Sequence, residues 1–379
     1  MTPDTHLCLV SAQPVPNLTP LLDQRTAPRR VILLVSPTME QRADWLEAVI
    51  RPRGIHVERF PVEHPYDIEH LQSRIMTLLE SRPEKQERIA LNATGGTKPM
   101  SIAAYEVFRA WNLPIFYIHP ERDRLIWMHP AEWPAVDLAD RIRLEPFLLA
   151  HGAEVSGEPA RSVPQGNYLE LAADLVLDIR RYRSAIGTLN WLATTAENNE
   201  LRSDPLPAGH AELVALVDLF AANGLLRREA GRLHFPSEEA RFFVNGGWLE
   251  YHVFDAVRRL RATREIQDVA FGVEVMRSHN GKRVFNELDV LFLHDNRLHI
   301  IECKTRKFRG EGEDTAAAEA LYKLDTLKDL MGGLQARAML VSYQDLPGYH
   351  RIRAADLGID VCAGEQLRNL REHISRFTG

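Results

Sequence analysis

Residues 286–305, NELDVLFLHDNRLHIIECKT, constrain this chain more than any other stretch. Two apolar-rich runs flank Asp295-Asn296, a pair that tolerates the left-handed backbone of a two-residue hairpin loop. With 295 and 296 as the loop, 294 faces 297. Each step outward keeps that pairing, so Asp289 faces Glu302. Directly opposed residues hold their Cβ atoms ~4.5–5.5 Å apart on one face of a sheet. Lys304, two residues beyond Glu302, points to the same face. The stretch therefore demands a sheet, sets its register and gathers two carboxylates and a lysine at one spot.

Two opposed carboxylates in a partly apolar setting repel each other unless a cation lies between them. Oxygen ligands with open positions suit Mg²⁺ or Mn²⁺. Such an ion polarises a phosphoryl oxygen and acidifies a bound water. A neighbouring ammonium orients that water or offsets charge developing on the phosphorus oxygens. Asp289, Glu302, the backbone carbonyl of Cys303 and Lys304 together describe metal-assisted phosphodiester hydrolysis. Arg306, Lys307 and Arg309 follow directly and read either as a phosphate track or as a solvated loop. Asn286, Lys323 and Lys328 are further candidates for substrate contact. His299 has no evident partner and reads as structural.

The N-terminal part has a different rhythm. Apolar runs at 5–10, 31–35, 55–60, 88–91 and 113–118 read as strands. Between them, Leu46, Val49 and Ile50, then Ile68, Leu71, Ile75, Leu78 and Leu79, recur at helical spacing, and 99–111 reads as a helix. Alternating strands and helices imply a mostly parallel sheet covered on both faces, an α/β fold. Residues 151–166, rich in Gly, Pro and polar side chains, read as a linker. A helical stretch at 167–197 and an amphipathic helix at 212–223 follow, then two short strands around a tight turn at 224–235. That order fits either a winged-helix module or a helical connector ending in a structural hairpin. Arg227, Arg228 and Arg232 alone do not establish nucleic-acid contact. The expected organisation is 1–150, a connector at 151–244, and a second α/β domain at 245–379.

A chain of 379 residues accommodates such a division. The net charge of −6 excludes a surface that is basic throughout. Cys8, Cys303 and Cys362 are scattered, which excludes a disulfide framework and zinc-site spacing and points to a reducing cytoplasm. No leader pattern opens the sequence. The longest apolar runs are of strand length, short of the ~20 residues a membrane helix needs, so no membrane association is expected.

In an open parallel sheet, ligands bind beyond the carboxyl ends of the strands. Three loops qualify: one with Ser11 and Gln13, one with Ser36 and Thr38, and residues 92–100, NATGGTKPM. In the last, Gly95 and Gly96 let backbone N–H groups approach a phosphate, Thr97 offers a hydroxyl, Lys98 a charge, and the following helix a favourable dipole. The loop is not a Walker A motif, and these loops carry no evident acidic metal ligand. They read as a receptor for an anion, or the glycines serve only a tight strand-to-helix turn.

Asp289, a strand and turn, then Glu302-Cys303-Lys304 resembles the PD-(D/E)XK nuclease motif of restriction-endonuclease-like domains. The proline of that motif is replaced, since Glu287-Leu288 precedes Asp289. The resemblance implies that Asp289 and Glu302 bind the metal and Lys304 assists the attacking water. Glu250 matches the acidic residue many members carry on the helix before the sheet. The N-terminal loops resemble those of the CRISPR-associated Rossmann fold (CARF) sensors. That resemblance implies a Rossmann-like domain binding a cyclic oligoadenylate, cyclic tetra-adenylate above all, across the two-fold axis of a homodimer. Sensor followed by nuclease resembles the CARF effector nucleases of type III CRISPR systems, which implies activator-dependent cleavage of DNA and/or RNA. Two alternatives stay open: a CARF and winged-helix transcription regulator with a vestigial nuclease core, and a constitutive nuclease.

Overall fold

Both faces of the central N-terminal strands are apolar, and the sheet is covered on both sides there. In the computed structural model, which describes residues 3–82, 88–119, 122–279, 281–306 and 316–379, the elements alternate as the pattern predicts. They are β1 (Thr5–Leu9), α1 (Val15–Leu22), β2 (Arg30–Val35), α2 (Glu40–Ile50), β3 (His56–Pro61), α3 (Ile68–Glu80), β4 (Ile89–Asn92), α4 (Lys98–Ala110) and β5 (Ile115–His119). The antiparallel strands β6 (Arg124–His129) and β7 (Val136–Asp137) extend one edge. The order is β3-β2-β1-β4-β5-β6-β7, parallel through β5. Leu7, Leu9, Ile32 and Leu34 pack beneath α3 and α4, whereas Cys8, Val10, Val31, Leu33 and Val35 enter a second core. Strand order reverses between β1 and β4, and a crevice opens beyond their carboxyl ends.

After α5 (Leu144–Ala150) comes a departure from the sequence reading. Residues 153–155, read as part of a linker, form β8 (Ala153–Val155) and pair antiparallel with a strand more than a hundred residues later. Three residues are too few to show a period. The connector continues with α6 (Tyr168–Leu177), α7 (Ile179–Thr195), β9 (Arg202–Pro205), α8 (Ala211–Ala222), β10 (Arg227–Glu229), β11 (Arg232–His234) and α9 (Glu238–Phe242). A three-stranded antiparallel sheet, β10-β11-β9, gives it a winged-helix-like form. Each hairpin arginine faces a carboxylate: Arg227 with Glu229 at 3.6 Å, Arg228 with Asp218 at 3.3 Å, Arg232 with Asp204 at 3.7 Å.

The C-terminal part comprises α10 (Trp248–Leu260), β12 (Asp268–His279), β13 (Lys282–His294), β14 (Arg297–Lys304), α11 (Ala316–Gly332), β15 (Arg337–Ser342), α12 (Gly348–Asp356), β16 (Ile359–Ala363) and α13 (Leu370–Phe377). Its sheet runs β16-β15-β14-β13-β12-β8. One face packs on α10 and the connector, whose buried Leu189, Phe220 and Phe235 join Trp248, Val290 and Phe292 in one core. The other face shares a core with the N-terminal sheet, uniting Val31 and Phe147 with Leu291, Ile300 and Leu321. Neither sheet stands alone. No described helix is long and apolar enough to cross a membrane.

Candidate active site

The hairpin forms in the register the sequence dictates. Asp295 and Asn296 both take φ of +51°, and the pairs run outward from His294–Arg297 to Val290–Ile301. There the ladder stops. The Asp289 carboxylate instead accepts the backbone N–H of Cys303 at 2.6 Å. The cause is visible on β12 and β13. Val269, Phe271, Val290 and Phe292 face one core, but Val273, Val275, Leu288 and Leu291 face the other. Alternation slips by one residue at Gly272 and Asp289, which lie between the paired Phe271–Val290 and Val273–Leu288. Gly272, with φ of +56°, supplies the left-handed residue that the slip needs. Asp289 thus sits where β13 parts from β14.

Glu302 is buried and ion-paired with Lys304, whose side chain is about one-third exposed at 36%. Helix α10 crosses β12, β13 and β14 and brings Glu250 to the same place. One Glu250 carboxylate oxygen is buried with no hydrogen-bond partner among the described residues. Burial, then the charges of Asp289, Glu287 and Glu302, push the Glu250 carboxyl well above its ordinary range. Burial and the Glu302 charge likewise push Asp289 up. For Lys304 burial acts in the opposite sense, but Glu302 and Asp289 outweigh it and hold the ammonium above its usual value. The site is therefore a partly desolvated cluster with more acids than bases, built to stabilise added positive charge. Among the described residues, no three Asp, Glu, His or Cys side chains are grouped so as to hold a metal ion.

Other candidates separate from this spot. The ammonium of Lys328 donates to Asp325 at 2.8 Å and to the Leu357 carbonyl at 2.9 Å, which engages it against α12. Arg306 turns to the connector, donating to Thr194 at 2.7 Å and Asn245 at 3.0 Å. Lys307 and Arg309 lie outside the described residues. Lys323 is exposed on α11, and Asn286 pairs across from Val275 on the outer part of the β12–β13 ribbon. His299 is buried and stacked on Phe292 at 4.5 Å, and burial lowers its pKa to about 3, as suits a structural residue. Sequence reasoning passed over Glu287 except as a motif departure, although its charge acts on both Glu250 and Asp289.

At the other end of the molecule, the crevice beyond β1 and β4 encloses about 500 Å³. Ser11, Gln13, Gly96 and Thr94 of the expected loops line it, with Tyr117, which the sequence did not single out. Its far wall is Arg297 and Leu334 of the C-terminal part. Gly95 is buried under the loop, where a Cβ would come 2.1 Å from the Leu9 carbonyl oxygen. The Thr97 hydroxyl donates to the Pro65 carbonyl at 2.8 Å and caps α4 through the Met100 N–H at 3.3 Å. Ser36 and Thr38 lie beyond β2 with their hydroxyls 3.5 Å apart, and Lys98 is exposed. None of these five borders the crevice. Beneath it, the Asn92 amide donates to Asn17 at 3.0 Å and accepts the Thr94 hydroxyl at 2.7 Å, a buried polar base for the loop.

Residues 5–146 match the Card1 CARF domain, and residues 237–378 match the Card1-like endonuclease domain. No curated protein matches the chain. Among solved structures, protein VC1899 from Vibrio cholerae is 33% identical over 99% of this chain and 98% of its own, with a TM-score of 0.89. Can2 from Sulfobacillus thermosulfidooxidans, solved in complex with cyclic tetra-adenylate, is 28% identical over 99% of each chain, with a TM-score of 0.83. A type III CRISPR defence DNA nuclease activated by cyclic oligoadenylate shares the fold at 20% identity and a TM-score of 0.59, with 52% of its length covered. A CARF sheet and an endonuclease sheet lie in one chain, matched end to end by VC1899: the protein belongs to the Card1-like family of CARF-domain endonucleases.

Proposed function

We propose that the protein is a metal-dependent endonuclease of the PD-(D/E)XK type, switched on by a cyclic oligoadenylate and acting as a homodimer in type III CRISPR defence. The observation that carries this reading is the convergence of Asp289, Glu302, Lys304 and the buried Glu250 oxygen at the parting of β13 and β14. These groups fit a divalent cation: the donors are oxygen only, one is buried and has no hydrogen-bond partner among the described residues, and burial with neighbouring negative charge raises the pKa of both Glu250 and Asp289. Asp289, Glu302, Glu250 and the Cys303 carbonyl would hold Mg²⁺ or Mn²⁺. When bound, the ion supplies Lewis acidity toward a phosphoryl oxygen and a more acidic water. Lys304, charged and tethered by Glu302, stands ready to orient the attacking water and to stabilise charge on the phosphorus oxygens. Asp289 stays aimed at the site because the Cys303 N–H fixes its carboxylate.

The crevice at the strand-order reversal supports the sensor half of the proposal. The Ser11 and Thr94 hydroxyls, the Gln13 amide and the Gly96 backbone line it together with Asp123, Asp295 and Arg297; the hydroxyls and amide suit a cyclic phosphodiester, and Can2 was solved with cyclic tetra-adenylate. A ring with two-fold symmetry presents the same edges to each subunit of an isologous dimer. A transcription regulator is disfavoured by the carboxylate partners of the hairpin arginines.

The test is cleavage of labelled single-stranded DNA, RNA and supercoiled plasmid in Mg²⁺, Mn²⁺ or chelator, with and without cyclic tetra-adenylate. We expect cleavage only with both metal and activator. Cutting that ignores the activator would leave a constitutive nuclease, and cutting in chelator would remove the metal.

A further inference from the structure

A buried amide of the connector reaches the segment beside the candidate active site. Asn190 of α7 is fully buried, and its side chain lies 2.7 Å from the hydroxyl of Thr305, the residue after Lys304. With its oxygen accepting that hydroxyl, its nitrogen donates to the carbonyls of Val244 at 3.2 Å and Ile186 at 3.1 Å. Val244 belongs to the turn that leads into α10 and Glu250. A single side chain thus joins the segment after Lys304 to the segment before Glu250.

Neighbouring contacts make this junction specific. Gly246, in the same turn, has φ of +117°, and a Cβ there would come 2.5 Å from the Thr305 hydroxyl oxygen. The turn and Thr305 therefore touch directly, in a geometry that only glycine permits. Gln344 donates from one amide to the Thr305 carbonyl at 3.2 Å and to the Arg183 carbonyl of α7 at 3.1 Å. The N–H of Tyr343 donates to the Lys304 carbonyl at 2.8 Å. Such a buried network is satisfied in one arrangement, and removing a member leaves unpaired polar groups behind. Lys304 lies on a strand and Glu250 on a helix; besides the apolar packing of α10 on the sheet, the Asn190 junction ties the two segments together by directional hydrogen bonds.

We propose that Asn190, with Thr305, is a positioning residue for phosphodiester hydrolysis, fixing Lys304 relative to Glu250; this rests on the nuclease reading above. Displacement of reacting groups by ~1 Å costs about 100-fold in rate. Thr305→Val keeps the shape and removes the hydroxyl, whereas Thr305→Ser keeps the hydroxyl. The full-length protein is assayed with cyclic tetra-adenylate and Mn²⁺ on the substrate that the wild type cuts best, and circular dichroism gives the folded fraction at the assay temperature. Thr305→Val should lower kcat about 10–100-fold with KM changed by less than about threefold, and Thr305→Ser should stay within about threefold of wild type. Asn190→Ala with Thr305→Val should be no worse than the worse single variant, because both break one contact. Wild-type rates in Thr305→Val, losses that track the folded fraction, or equal impairment of Thr305→Ser would overturn the proposal. If the wild type cuts nothing and Glu302→Gln is indistinguishable from it, the nuclease reading itself fails and this proposal falls with it.

Discussion

Two openings in two sheets carry the functional candidates, and they are made of different materials. Where β13 parts from β14, the space is filled by the buried Glu302, the half-buried Asp289 and Glu250, and a lysine held by ion pairing. Where β1 and β4 end, the space is about 500 Å³, lined by hydroxyls, amides, apolar side chains and backbone, and its carboxylates, Asp123 and Asp295, lie outside the NATGGTKPM loop. The first stores unfavourable electrostatics that a cation relieves. At the second, the loop is held by hydrogen bonds among Asn17, Asn92 and Thr94, and its shape depends on close backbone packing. Function at the first should therefore be lost without loss of stability, and at the second the two should fall together.

The largest expected effect tests the first half of that contrast. Asp289→Asn keeps an oxygen for the Cys303 N–H but removes a charge that burial and Glu302 oppose. Cleavage should fall by about 10³-fold or more, while thermal stability at neutral pH stays level or rises. A paired loss of melting temperature would show that the carboxylate is structural.

The second prediction concerns the place where the two regions meet. The hairpin tip reaches the N-terminal sheet, where the Asn296 amide donates to the buried Asp123. Burial, against the hydrogen bond from Asn296, raises the Asp123 pKa to about 6. Its unfolded value is ~3.9. A carboxyl raised on folding favours the folded state while protonated, so this contribution is complete below pH ~4 and is lost as pH rises through about 6. Asp123→Asn should remove that dependence. The difference in stability between variant and wild type should grow between pH 4 and 7 by at most about 3 kcal/mol. Melting curves across that range that stay parallel would show that Asp123 titrates normally.

Much of this was legible because it rests on local rules. The turn at Asp295-Asn296 and the alternation beside it set the register from His294–Arg297 to Val290–Ile301, one step short of the expected Asp289–Glu302 pair, and the apolar pattern gave β1 to β5 their order along the chain. The slip at Gly272 was not legible, because a glycine in a strand does not say which way the backbone turns. Strand β8 was hidden by its length, and Asn190 by its distance from Thr305 in sequence, 115 residues. In the sensor loop, composition suggested Thr97 and Lys98, but capping claims the Thr97 hydroxyl and Lys98 lies outside the crevice. Ser11, Gln13, Thr94 and Gly96, from loops the sequence marks out, do line it, whereas Tyr117 arrives there through sheet order, which no local pattern reveals.

Gly95→Ala tests the other half of the contrast. Its Cβ would meet the Leu9 carbonyl, part of β1, so relief requires movement of backbone. Stability should fall by about 1–3 kcal/mol, with a parallel loss of response to cyclic tetra-adenylate. Retained stability with lost response would mean that the loop packs loosely and that the glycine serves the ligand alone.

The smallest effect is the most discriminating. Gln13 lines the crevice, yet its side-chain oxygen also accepts the N–H of Leu334 at 3.3 Å, just past the end of α11, whose inner face packs on the same sheet as β14. It touches both regions. If Gln13 is chiefly a ligand contact, Gln13→Ala removes about one hydrogen bond from the activator, and half-activation should need about tenfold more cyclic tetra-adenylate with the maximal rate unchanged. If Gln13 is chiefly a coupling contact, the variant should bind activator as before and cleave more slowly at saturation, because the ligand no longer distinguishes two arrangements of the nuclease part. Titrating activator against initial cleavage rate, beside direct binding, separates the two. Because the hydrogen bond to Leu334 is long and the crevice lining is shared among many residues, we expect the first outcome.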